Sequence, residues 1–175
     1  MSELFIELFS EEIPSKLQIK ARTSLLENFQ IFFEENDVSI NGKSNVFSTP
    51  NRLVIKFEKV SKKIKKQSTE IKGPSVNSPS SALEGFLRSN KINKNKIYKK
   101  KIEKGYFYFY KKPSQIINTH DLLKDNIPII LDKISWKKSM KWGKYDLFWA
   151  RPLKSILSVF DGKKIEFNFH HLKSS

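Results

Sequence analysis

LFIELFSEEIPSKLQIKARTSLLENFQIFFEEN, residues 4–36, passes from a strand pattern to a helix pattern across one proline. Leu4 to Phe9 form a short apolar run interrupted by Glu7, as expected of a half-buried strand. Pro14 suits the first position of a helix, and Ser15 with Gln18 three residues on resembles a capping box. Leu17, Ala21, Leu25, Phe29 and Phe32/Phe33 then recur at helical spacing, which predicts one apolar helix face over about five turns, ending near Asn36. A strand beside a long amphipathic helix points to a layered α+β fold.

Leu53, Ile55 and Phe57 alternate with Val54, Lys56 and Glu58 after a Thr-Pro-Asn interruption, which predicts a strand entered through a tight bend. SKKIKKQSTEIKGPSVNSPSS at 61–81 is rich in Lys, Ser, Pro and Gly and reads as an edge strand followed by an exposed loop, mobile from Lys72 to Ser80. Ser80 or Ser81 can cap a short helix carrying Leu83, Phe86 and Leu87 on one face. IYKKKIEKGYFYFYKK at 97–112 predicts a hairpin turning at Glu103-Lys104-Gly105. Thr119 or His120 opens a further helix, which Pro128 is expected to kink or restart. Asp161-Gly162 separates two apolar segments and signals a second hairpin. The expectation is a largely antiparallel sheet with one long amphipathic helix near the N-terminus and shorter helices packed on it. Residues 1–175 would form one domain or two small ones, any boundary falling in the 61–80 loop.

The 175 residues carry 38% hydrophobic content and 14 Phe, enough for a real core. There is no Cys, which excludes disulfides, thiolate metal sites and cysteine redox chemistry. The first residues are acidic where a secretory signal needs bases, and no apolar run approaches the roughly 18 residues of a membrane span, so a soluble cytoplasmic protein with no membrane partner is expected. A net charge of +15 suggests an anionic partner through counterion release. That charge is mostly Lys, in a chain also crowded with Ile and Asn, which an A+T-rich coding sequence would produce on its own. It is spread along the sequence rather than gathered in one tail.

The 6 Gly never form a phosphate loop, which argues against ATP binding by this chain alone. His120, His170 and His171 lack acidic neighbours at metal-ligand spacing. Glu11 and Glu12 fit a helix-terminal role better than acid–base work. Trp136-Lys137-Lys138-Ser139-Met140-Lys141-Trp142-Gly143-Lys144 is different, interleaving two indoles with four ammonium groups. Lys can meet phosphates while Trp stacks on an unpaired base. Equally, the indoles can be core anchors and the lysines their solvated rim. With so few arginines, Arg52, Arg88 and Arg151 are candidates for bidentate phosphate or carboxylate contacts.

LFIELFSEEIPSK near the start resembles the opening of bacterial glycyl-tRNA synthetase beta subunits. In the family's order follow TPNRL at 49–53, KGP at 72–74 with ALEGF at 82–86, KSMKWG at 138–143 and FWARPLKSILSVFDG from 148. Asn51 and Lys141 stand where the family usually has Arg. The resemblance implies an alpha2-beta2 enzyme that joins glycine to tRNA-Gly, with ATP and Mg handled by the alpha subunit and no cofactor or catalytic residue on this chain. The family continues to several times this length, into further domains and an anticodon-binding domain. On this reading the chain is a non-catalytic, tRNA-engaging segment with Arg52, Arg88, Lys138, Lys141, Trp142 and Arg151 as candidate RNA-facing residues. The rivals are a stand-alone RNA-binding module and a structural segment that contacts the alpha subunit.

Overall fold

The computed structural model describes residues 1–102, 105–142 and 144–175. The expected turn at Glu103-Lys104, and Gly143 of the KSMKWG segment, lie outside the described residues. The protein is α+β and its strand pairs are antiparallel. In chain order the elements are β1 (Ser2–Ser10), α1 (Ser15–Glu35), β2 (Ser44–Thr49), β3 (Arg52–Val60), β4 (Lys63–Lys66), β5 (Thr69–Ser75), α2 (Ser80–Asn90), β6 (Ile97–Ile102) and β7 (Gly105–Lys112). After these come β8 (Gln115–Asn118), α3 (Thr119–Asp132), β9 (Met140–Lys141), β10 (Phe148–Trp149), β11 (Leu153–Phe160), β12 (Lys163–Lys164), β13 (Asn168–Phe169) and β14 (Leu172–Lys173).

Two compact units result, one comprising Met1–Ile64 with Ile117–Ser175 and the other Lys65–Ile116. The crossings fall within β4 and β8, which pair with each other. The 61–80 segment, expected as an edge strand followed by a loop from Lys72, is strand over Lys63–Lys66 and again over Thr69–Ser75, so the strand runs into the part expected as loop. β5 hydrogen-bonds to β7 from Thr69 to Ser75, because Thr69, Ile71 and the flanking polar residues alternate as a sheet needs.

The first unit is a five-stranded sheet in the order β12-β11-β1-β3-β2. β1 pairs with β3 and β11 at once, setting Leu4, Ile6 and Leu8 opposite Phe57, Ile55 and Leu53 on one side and Phe160, Ser158 and Ile156 on the other. These residues share the buried face, where α1 supplies Ala21, Leu25, Phe29, Phe32 and Phe33. Phe33 meets Phe57 edge-on at 5.0 Å between centroids, and Phe29 lies 5.8 Å from Phe57, an aromatic knot joining helix to sheet.

The start of α1 departs from the sequence reading. Pro14 is the cap residue rather than the first helical one, and no side chain caps the helix. Instead the Gln18 amide donates to the Ile13 carbonyl at 2.8 Å and accepts from the Ser48 hydroxyl at 3.0 Å, tying the helix entry to β2. α3 is a single helix through Pro128, not two. Leu123, Ile127, Ile130 and Leu131 are buried, while the Lys124 carbonyl that loses its donor belongs to an exposed residue. Asn118 caps it by accepting from the His120 N–H at 3.2 Å, and buried Thr119 donates from its hydroxyl to the Ser61 carbonyl at 2.6 Å. Of the shorter helices, α3 packs on α1, whereas α2 belongs to the other unit and packs on β5.

The second unit is a three-stranded sheet, β5-β7-β6, with α2 on one face. A Cβ at Gly73 would sit 3.0 Å from the Phe86 ring and 3.1 Å from the Tyr108 carbonyl, so glycine here lets α2 approach the sheet. That contact joins KGP at 72–74 to ALEGF at 82–86.

At the β11–β12 turn Asp161 and Gly162 both have positive φ, 54° and 72°, as a two-residue hairpin requires. Asp161 pairs with the Lys62 ammonium at 2.6 Å and accepts from the Ser2 hydroxyl, and the Lys62 bond first, then the Ser2 bond, hold its carboxyl below the usual range.

Phe29→Ala is expected to cost about 3–5 kcal/mol in denaturant unfolding, whereas Ile31→Ala, two residues on and 51% exposed, should stay within about 0.5 kcal/mol. Because the Asp161 pKa is depressed in the folded state, its contribution is present above the ordinary carboxyl range and lost as pH falls through the lower folded value. Melting temperature measured below about pH 4 should therefore fall less steeply in Asp161→Asn than in the wild type.

Candidate nucleic-acid interface

Three separated segments meet where β1 ends. The Ser10 N–H donates to the Asn51 carbonyl at 2.9 Å, the Glu11 N–H to the Pro152 carbonyl at 2.9 Å and the Ile13 N–H to the Pro50 carbonyl at 2.6 Å. The Arg151 guanidinium closes the junction by donating from Nε to the Glu12 carbonyl at 3.2 Å. The segments FSEEIP, TPN and ARP are thus one backbone knot at the rim of the sheet. Glu11 takes part through its N–H, and its carboxylate pairs at the surface with Lys154 at 3.5 Å.

Arg52 flanks this knot with its side chain half exposed. Its Nε lies 3.3 Å from a Glu7 carboxylate oxygen and its guanidinium 5.0 Å from the Phe9 ring centroid. Both partners lie on the sheet face opposite the helices. Glu3, Phe5, Glu7 and Phe9 of β1 share that face with Val54 and Lys56 of β3, Phe47 of β2, and Leu157 and Val159 of β11. Phe47 is 56% and Leu157 37% exposed, so this face has an apolar middle edged by charges of both signs.

The indole-lysine segment divides. Trp136 packs on the buried Trp149 at 5.1 Å, with its Nε1 unpartnered, so that ring is a core anchor. Trp142 is half-buried, its Nε1 also without an acceptor among the described residues. Lys137, Lys138, Lys141 and Lys144 are exposed. Lys141, which faces Phe148 across the β9–β10 ribbon, pairs with Asp146, and that hydrogen bond first, then its charge, draws the Asp146 carboxyl below its usual range. Tyr145 stacks on His171 at 4.1 Å, and His170 meets the Asp132 carboxylate at 2.9 Å. No group of three His, Cys, Asp or Glu is arranged to hold a metal among the described residues.

Arg52 and Arg151 therefore meet around one junction, while Lys138, Lys141 and Trp142 share the segment leading into and out of β9. Arg88 lies in the last turn of α2, in the second unit.

The second unit also holds a cluster that the sequence reading assigned only to a hairpin. On the sheet face away from α2, Lys72, Tyr98, Lys100, Phe107 and Phe109 alternate across three strands. The Lys72 ammonium sits 4.0 Å above the Phe107 centroid and that of Lys100 5.3 Å above Phe109, on which Tyr98 stacks at 6.2 Å. Glu70 accepts from the Tyr98 hydroxyl and the Lys100 ammonium, each at 2.6 Å. The Lys100 bond, then the Tyr98 bond, lower its carboxyl pKa. The signal was present in the period-two alternation of IYKKKI against GYFYFYKK, which sets lysines and rings on common faces once the strands pair.

The charge is correspondingly uneven. Lys65–Ile116 contains thirteen Lys and Arg against three acidic residues, a net +10 of the chain's +15 in 52 residues. The other 123 residues contain twenty against fifteen. Because the second unit is one unbroken stretch of sequence, the expected even spread of charge is corrected: two-thirds of the excess lies between residues 65 and 116.

A family model described as glycyl-tRNA synthetase beta subunit matches residues 4–175. The glycine–tRNA ligase beta subunits of Rickettsia felis, Rickettsia canadensis and Rickettsia prowazekii are 37%, 38% and 38% identical over all 175 residues. Those residues are 26% of each relative, so the chain spans about a quarter of the length of the curated relatives it matches.

Trp136→Ala is expected to lower stability by up to about 3 kcal/mol in thermal melting and leave RNA binding by the folded chain unchanged. Trp142→Ala should show the reverse balance, a smaller melting loss and roughly five-fold or more weaker RNA binding, as for an indole that stacks on a base. Unchanged melting with unchanged binding would remove both roles from Trp142.

Proposed function

Since the chain belongs to the glycyl-tRNA synthetase beta-subunit family, we propose that it is a non-catalytic, tRNA-engaging part of that subunit. It serves a cytoplasmic alpha2-beta2 ligase that joins glycine to tRNA-Gly, the alpha subunit handling ATP and Mg. The observation that carries this reading is a net +15 charge on a chain matched to the family almost end to end. Ammonium groups neutralise backbone phosphates whatever the sequence beneath them, which suits a segment that positions tRNA rather than acting on it. Lys138, Lys141, Trp142 and Arg151, with Arg52 and Arg88, are the residues proposed to face RNA. Lys141 reaches phosphate by exchanging its exposed Asp146 partner, a pair that contributes little in water.

A second reading, a structural segment packed against another polypeptide of the synthetase, draws on the open face around Phe47, Phe5, Val54 and Leu157. Its rings and aliphatic chains offer nothing to phosphate, but they match an apolar protein surface.

The purified chain is expected to prefer labelled tRNA-Gly over an unrelated tRNA at physiological salt, the preference rising when the alpha subunit is added. Equal weak binding of both RNAs, unaffected by the alpha subunit, removes the tRNA-engaging reading. Association with the alpha subunit that survives high salt while tRNA binding is absent selects the structural one.

A further inference from the structure

The second unit carries two-thirds of the chain's net charge in less than a third of its length. Codon composition does not explain the difference, because both units come from one reading frame. Acidic residues are thinned as well as lysines enriched: three in 52 residues against fifteen in 123. An excess of this size gives the unit its own long-range attraction for anions.

The open face of β5-β7-β6 gives that attraction a shape. Tyr98 is exposed and Phe107 half-buried, with Phe109 buried beneath Tyr98 and Lys100. Lys72 and Lys100 rest their ammonium groups on ring faces, and Lys111 lies across from Glu70 in the register. A duplex buries its bases and gives such rings nothing to stack on, whereas unpaired nucleotides offer a phosphate and an aromatic face every step. Lys72 swinging from Phe107 to phosphate uncovers the ring it leaves, so charge neutralisation and base stacking occur there in one movement. Glu70 keeps Tyr98 and Lys100 in register until then.

We infer that this face of the second unit is a binding platform for unpaired RNA nucleotides, Tyr98 and Phe107 stacking on bases while Lys72, Lys100 and Lys111 meet phosphates. The inference rests on the tRNA-engaging reading and adds a place and mode of contact outside the candidates of the first unit.

The test uses the full 175-residue chain, with fluorescence anisotropy against labelled tRNA-Gly, a single-stranded RNA and a blunt RNA duplex. Lys72→Gln/Lys100→Gln/Lys111→Gln should weaken tRNA binding at least ten-fold and reduce the log–log salt slope by about 2, at roughly 0.7 per phosphate contact on a single strand. Lys133→Gln/Lys163→Gln/Lys164→Gln, an equal charge change at exposed positions of the first unit, should change it less than three-fold. Tyr98→Ala should weaken single-stranded RNA roughly five- to hundred-fold, with Tyr98→Phe keeping wild-type affinity and duplex binding unaffected. Circular dichroism melts confirm that each variant is folded. Wild-type binding that both lysine triples reduce equally, or that neither reduces, overturns the platform while leaving the tRNA-engaging reading in place. Failure of the wild-type chain to bind any RNA overturns both. Equal competition by polyglutamate or anionic vesicles overturns the assignment to RNA.

Discussion

β1 is hydrogen-bonded along both edges, to β3 on one side and to β11 on the other, and the rest of the first unit depends on that double pairing. Its partners come from residues 52–60 and 153–160, so the central strand is complete only when a segment about 150 residues further along has returned to it. The alternation that buries Leu4, Ile6 and Leu8 fixes the register of both neighbours, since a slip by one residue would turn every core side chain to the open face. Closing such separated contacts costs chain entropy early in folding, and the tight ties at Thr119, Asp161 and the Ser10–Ile13 knot are where that closure is secured.

Much of this was legible where the signal is local. The strand at the start, the helix from Ser15, the strand entered through the bend at Pro50-Asn51 and the turn at Asp161-Gly162 follow from periodicity and turn chemistry alone, whereas the strand β2 before that bend does not. The long-range pairing of β1 with β11 was not, because period two names a face and not a partner. Nor was the continuity of α3 through Pro128, where burial of four neighbouring aliphatic chains outweighs one lost hydrogen bond. β5 was hidden by its loop-like composition and became a strand only through the aromatic strand it borders.

The candidate residues show the same division. Residue type alone could nominate Arg52 and Arg151, but not reveal that they flank one junction, with Glu7 and the Glu12 carbonyl already claiming part of their donor capacity. Several motifs that carried the family resemblance turn out to touch: FSEEIP, TPN and ARP form one knot, and KGP receives the phenylalanine of ALEGF. Their spacing in the chain thus records packing at least as much as recognition. The excess charge of residues 65–116 is visible in the sequence, but the basic face is not, because which lysines and rings share it depends on the register of β5 and β6 against β7.

One further consequence lies in the paired strands β4 and β8, through which the chain enters and leaves the second unit. Because the entry and exit strands pair with each other, the second unit, Lys65–Ile116, begins and ends on one two-stranded sheet. Since β4 and β8 form a sheet of their own, the five-stranded sheet draws none of its strands from Lys65–Ile116, and a change of length or sequence within that stretch leaves its strand pairing intact.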